Sequence, residues 1–246
     1  MRTEVRGLRT EPAVTARSRG WRSLSPQSSA LSPDFHAISI PARTFTGDFW
    51  FTRRTADRLW FALGDVAGKG LPAALVMAMI QEELEQRIHS CARAGCDPAT
   101  TMQRLHAFLR PLLPRNRFAT AAIGWLRDDG LLTLVNGGHC PPLVLRADGT
   151  IEEIGSTGPI VGVLERSRWT SATLTLGDGD KLLLYSDGVV EAAAPDGDEF
   201  GRDGIERALP PPHAPASVVA ANLVDAVRRH ADGARADDLT VLVIGR

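Results

Sequence analysis

The segment Arg58-Leu59-Trp60-Phe61-Ala62-Leu63-Gly64-Asp65-Val66-Ala67-Gly68-Lys69-Gly70-Leu71-Pro72 passes from a strand to a helix through a loop bearing three glycines. Residues 58–63 are a dense apolar run of strand type that ends at Gly64-Asp65. Pro72 stands near the first helical position, where its missing N–H costs nothing. Beyond it, Leu71, Leu75, Ala78, Met79, Leu84 and Ile88 give an apolar face through about His89. Upstream, Phe49-Trp50-Phe51 and the polar turn 52–57 pair with the opening run as a hairpin. That hairpin carries one aspartate on each strand, Asp48 and Asp65. Residues 35–40 alternate loosely, as a further strand.

Downstream, Asp97-Pro98 offers an N-cap followed by proline, the start of a second helix. Its apolar stripe is Met102, Leu105, Phe108, Leu109 and Leu112. After Pro114 the pattern changes to strands at 118–126, 131–135, 143–146, 151–154, 170–176 and 181–185. A helix over 214–230 and a wholly apolar strand over 239–244 close the chain. Strands come in adjacent runs and helices cluster, which predicts an α+β fold of mostly antiparallel sheets and not a βαβ alternation. Residues 1–30, rich in Arg, Ser and Thr and without periodicity, are expected to be a flexible tail before a single domain over 31–246.

The chain has 246 residues, 43% apolar and 23% charged, ordinary values for a soluble globular protein. Its net charge of −1 gives no global electrostatic case for nucleic acid or for a membrane surface. No apolar run approaches the roughly 18 residues of a membrane span. Residues 1–30 hold six Arg and two Glu, or +4, which leaves −5 for residues 31–246. Cys91, Cys96 and Cys140 are odd in number and lack zinc-type spacing, so free thiols in a reducing cytoplasm are expected.

Chemistry concentrates in four aspartate turns: Gly47-Asp48, Gly64-Asp65, Asp187-Gly188 and Asp237-Asp238. A carboxylate at a strand end, beside a glycine that frees the backbone, aims oxygen ligands at a hard cation. Each aspartate alone is better read as a turn or helix cap. The set of four suggests a cation site assembled by folding. The loop Gly64-x-x-x-Gly68-Lys69 falls short of a phosphate-cradling P-loop by one residue and has Gly70 where that loop needs Ser or Thr.

The blocks Gly47-Asp48-Phe49-Trp50, Gly64-Asp65-Val66-Ala67-Gly68-Lys69-Gly70, Asn136-Gly137-Gly138-His139-Cys140-Pro141-Pro142, Tyr185-Ser186-Asp187-Gly188 and Asp237-Asp238-Leu239-Thr240 occur in that order. Together they resemble the SpoIIE-type branch of the PPM metal-dependent protein phosphatases. The resemblance implies an αββα sandwich, two stacked antiparallel sheets flanked by helices, with a two-metal Mn2+ or Mg2+ centre between the sheets. It implies Asp48, Asp65, Asp187 and Asp237 as metal ligands, Asp65 bridging, with the carbonyl of Val66 as a backbone ligand. Asp237 is preferred to Asp238 because related phosphatases place the ligand three residues before the Thr. The implied reaction is hydrolysis of phosphoserine or phosphothreonine by a metal-activated water, without a covalent intermediate. The implied substrate is a phosphorylated STAS-domain antagonist of an anti-sigma factor, in bacterial cytoplasmic signalling.

Departures from the family pattern fall at Thr46, in place of a glycine, and Phe51, in place of an outer aspartate. They motivate the alternative of a pseudophosphatase that binds a STAS-type partner without turnover. His139 is weighed as a catalytic acid against a loop-holding residue, and the second is favoured. Nothing marks Cys140 as a nucleophile. Control through a partner, or through a homodimer over the helices at 71–112, is weighed against the simpler expectation that those faces only cover the sheet.

Overall fold

The computed structural model describes residues 33–42, 44–91, 96–114, 117–233 and 237–246. The expected tail over 1–30 lies outside the described residues. Ten strands and five helices occur among the described residues. They are β1 (Asp34–Ile40), β2 (Asp48–Arg54), β3 (Arg58–Val66), α1 (Leu71–Cys91), α2 (Pro98–Leu109), β4 (Ala119–Arg127), β5 (Leu131–Gly137), β6 (Leu143–Leu145) and β7 (Ile151–Glu153). After these come β8 (Ala172–Thr175), β9 (Lys181–Tyr185), α3 (Asp187–Val190), α4 (Gly201–Ala208), α5 (Ala216–His230) and β10 (Leu239–Gly245).

The strands form two antiparallel sheets of five, ordered β1-β10-β9-β6-β7 and β2-β3-β4-β5-β8. Side chains alternate between the two faces of each strand. On β3, Leu59, Phe61 and Leu63 join Leu126, Leu134, Leu184 and Leu242 in a core between the sheets. Trp60, Ala62 and Val66 face the other way, with Ile80 and Leu84 of α1 and Met102 and Leu105 of α2. On the far side, Val241 and Val243 of β10 pack with Val219, Leu223 and Val227 of α5. Helices, sheet, sheet, helices: three apolar layers make the expected αββα sandwich.

The N-cap of α2 is as expected, with the Asp97 carboxylate accepting the N–H groups of Ala99 (3.0 Å) and Thr100 (3.3 Å). Three expectations change. Of the expected face of α1, Leu84 and Ile88 are buried but Leu71, Leu75, Ala78 and Met79 are solvent-exposed, and Ala73 and Ile80 complete the buried stripe. The first three turns of that helix are apolar all round, so period alone does not choose a face. Leu112 lies past the end of α2 and is exposed. Finally, Cys96 is disulfide-bonded, whereas Cys140 is a free thiol as expected. A cysteine count says nothing of the Cα separation and Cβ direction on which a bridge depends.

Candidate metal centre

Alternation on β2 and β3 decides where the first two aspartates point. Phe49 and Phe51 lie in the core beneath α1, so Asp48 takes the opposite, inter-sheet face. Asp65 shares that face with Phe61 and Leu63. The register sets Asp48 directly across from Asp65. Gly64-Asp65 is thus not a turn after the strand but its continuation to Val66. Two carboxylates end a dry apolar layer side by side.

Burial, and each carboxylate's neighbours, oppose ionisation there. Asp48 is pushed up to about 8, first by burial, against the hydrogen bond from Thr240. Asp65 is pushed up to about 7 by burial and then by the charges of Asp187 and Asp237. Asp187 is raised by burial and by Asp237. Asp65 lies across from Asp48 and close enough to Asp187 and Asp237 to feel their charges, so the fold gathers the four predicted aspartates at one end of the sandwich, two from each sheet's side. Like-charged buried groups of this kind favour either protons or a cation.

The second sheet supplies Asp187 at the start of α3, straight after β9, and Asp237 just ahead of β10. Gly188 lets these approach: a Cβ there would lie 2.0 Å from the carbonyl oxygen of Asp238. Ser186 ties the same corner, its hydroxyl donating to the carbonyl of Asp238 (3.2 Å) and accepting the N–H of Thr240 (2.9 Å).

Four residues acquire roles that sequence reasoning missed. Thr240 donates to Asp48 Oδ2 at 2.6 Å and lies 3.0 Å from the Ser39 hydroxyl. Asp238 accepts the N–H groups of Ala42 (2.7 Å) and Gly47 (3.1 Å), so it clamps the strand entering the site. Thr46 accepts the N–H of Asp48 at 3.0 Å, a turn role that its hydroxyl makes possible. Lys69 donates to Asp237 Oδ2 at 3.0 Å. For Asp238 and Thr240 the available signal was the short Asp-Asp-Leu-Thr block, which sets both at the entry to β10.

Among the described residues, no group of three His, Cys, Asp or Glu side chains is gathered tightly enough to hold an ion as it stands. The donors still suit a hard cation, being carboxylates and one carbonyl. A Cβ added at Gly47 would meet Asp65 Oδ1 at 2.6 Å and the Val66 carbonyl oxygen at 2.9 Å. These two oxygens therefore converge on space that only glycine leaves open. Phe51, buried in the α1-facing core, offers no outer acid.

His139 is buried and holds its loop. Its N–H donates to Asn136 Oδ1 (2.8 Å), its carbonyl accepts from Asn136 Nδ2 (3.1 Å), and its Nδ1 lies 2.9 Å from the Thr120 hydroxyl. Burial lowers its pKa to about 4, leaving it neutral near pH 7. Burial pushes the Cys140 thiol up to about 12, the reverse of an activated nucleophile.

Residues 55–246 match the family described as stage II sporulation protein E (SpoIIE). The chain is 27% identical over 224 residues to phosphoserine phosphatase RsbU of Bacillus subtilis (strain 168), covering 90% of this chain and 65% of RsbU. It therefore spans just under two thirds of that relative's length. The SiaA-PP2C domain of Pseudomonas aeruginosa shares the fold, with a TM-score of 0.76 at 20% identity, covering 86% of this chain and 85% of that one. So does the catalytic domain of the serine/threonine protein phosphatase PstP in complex with two manganese ions, with a TM-score of 0.62 at 18% identity, covering 87% and 97%.

Proposed function

We propose that this chain, which belongs to the stage II sporulation protein E (SpoIIE) family, is a metal-dependent phosphoserine/phosphothreonine phosphatase acting in the bacterial cytoplasm. One observation carries the reading: Asp48 and Asp65 face each other at the end of the inter-sheet core, where Asp187 and Asp237 arrive from the other sheet. No helix of the described residues is long and apolar enough to cross a membrane.

Asp48, Asp65, Asp187, Asp237 and the Val66 carbonyl would hold two Mn2+ or Mg2+ ions, a reading that the two manganese ions of PstP support for the shared fold. Such ions lower the pKa of water and balance phosphoryl charge. The chain's own groups prepare that chemistry. Thr240 holds one oxygen of Asp48 in place, which leaves the other for a cation. Asp238 fixes the backbone at Gly47, and Gly47 keeps open the space before Asp65 and Val66. His139 keeps the 136–139 turn closed.

The substrate we assign is a phosphorylated STAS-domain antagonist of an anti-sigma factor. Similarity to a phosphoserine phosphatase supports the phosphoserine class. The test is phosphate release from phosphorylated STAS-domain proteins with and without Mn2+. Release that stops on chelation is the expected result. Tight binding with no release at saturating Mn2+ would instead favour a pseudophosphatase, the reading to which the apolar Phe51 lends weight. Regulation through a homodimer would use Leu71, Leu75 and Met79, spaced four apart and exposed on α1. A monomeric sedimentation profile at high concentration would remove it.

A further inference from the structure

We infer that Lys69 exchanges partners during the reaction: its ammonium holds Asp237 in the metal-free protein and passes to the substrate's phosphoryl group once Asp237 takes a cation. The inference rests on the phosphatase reading above and adds a substrate-contacting residue to it.

Place is the first argument. Lys69 and Asp237 together border two recesses. One contains Gly47, Asp65 and Gly68, the space before the paired aspartates. The other runs past Gly188 and Glu191 to Val227 and Arg228 of α5. Their 3.0 Å contact therefore lies on the border that the two recesses share. A phosphoryl group seated before Asp65 in the first recess would lie beside Lys69.

Exposure is the second. Lys69 sits between Gly68 at φ +115° and Gly70 at φ +82°, and both values belong to the left-handed range that favours glycine. Nothing lies within 4 Å of a Cβ built at Gly70, so the backbone is not packed in on that side. The side chains of Lys69 and Asp237 are 53% and 41% exposed, and a pair so exposed is weakly held.

Charge is the third. Asp65, Asp237 and Asp238 line the first recess, and a phosphoryl dianion entering among them alone would be repelled. Asp237 loses its attraction for an ammonium when its charge is taken by a divalent cation. An incoming phosphoryl oxygen then competes for the Lys69 ammonium, which binds phosphate as a point charge.

The exchange predicts opposite effects on two ligands. Mn2+ binding to the full chain is measured by titration calorimetry for wild type, Lys69→Met, Lys69→Arg and Asp237→Asn. Lys69→Met should bind Mn2+ about two- to fivefold more tightly, the scale of an exposed ion pair removed. Asp237→Asn should bind fewer ions. In the Mn2+-loaded protein, inorganic phosphate should bind Lys69→Met about tenfold more weakly, as expected for loss of a charged hydrogen bond. Lys69→Arg should restore phosphate binding, and KM for a phosphoprotein should follow it. A merely structural lysine would weaken both ligands when removed, so loss of both affinities overturns the exchange. Unchanged affinity for either ligand also overturns it. A wild type that binds Mn2+ and phosphate yet hydrolyses nothing would sink the phosphatase reading and leave the exchange standing, since binding needs no turnover.

Discussion

The carboxylate of Asp238 accepts the N–H groups of Ala42 and Gly47, whereas that of Asp237 turns to Lys69. Neighbours in sequence, they should fail differently. Asp238→Ala strands two backbone donors and should cost about 1.5–3 kcal/mol of stability, the scale of hydrogen bonds to a charged group. Urea unfolding would read it. Asp237→Asn should leave that stability near wild type and lower Mn2+ affinity instead. Asp187→Asn should cut metal-dependent phosphate release by about a hundredfold or more, because losing even a ligand's hydrogen-bond partner costs about 10–100-fold. Wild-type turnover by folded Asp187→Asn would refute the site. At this scale the sequence proposes the carboxylates only as a set, since each alone reads as a turn or cap while the four occur in family order. It hid Thr240 and Asp238 because their roles depend on which strand lies alongside, and β10 meets Asp48 from 192 positions away.

The elements that carry the aspartates explain why spacing is so strict. Strand β9 runs straight into α3, and Asp187 is its first residue. Gly188 then packs on the turn before β10, where an added Cβ would come within 2.0 Å of the Asp238 carbonyl oxygen and 2.9 Å of its carbon. Backbone does not yield as a flexible side chain does. Gly188→Ala should therefore push α3 from the turn and separate Asp187 from Asp237. We expect about 1–3 kcal/mol of lost stability, in line with overpacking, together with weaker Mn2+ binding. Calorimetry on the folded variant would check both. Most elements were legible in the sequence: β9 and the core of β10, buried on both faces, are short apolar runs bounded by turn residues. The four-residue α3 was not, since it is shorter than any helical period can mark. Nor was α4, a segment of only eight residues with Gly204 and Ile205 buried in it. On α1 the reverse problem arose, an excess of apolar residues, and only the sheet's position shows that Ile80 and Leu84 are covered while Leu75 is not.

For the molecule as a whole, the aspartate centre sets how stability responds to pH. Asp48 and Asp65 rise from 3.8 to about 8 and about 7 on folding. Between those values the folded chain binds more protons at these sites than the unfolded chain does, so stability must fall as pH rises. Their contribution is complete below 3.8 and gone above about 8. Carboxylates held low by partners, such as Asp180 beside Arg146, act in the opposite sense and lose their contribution as pH falls below 3.8. The metal-free protein should therefore unfold at progressively lower temperature from about pH 5 to pH 8. Mn2+ reverses the trend, because its ligands must be deprotonated and its binding strengthens as protons leave. At a hundred times its dissociation constant it should add about 2.7 kcal/mol, or roughly 5–10 °C in Tm for a chain of this size. Thermal scans at pH 5 and pH 8, with chelator and with Mn2+, test this directly. A chelated protein equally stable at both values would mean that Asp48 and Asp65 do not share a dry site. A Mn2+ shift as large at pH 5 as at pH 8 would mean that the ion binds elsewhere.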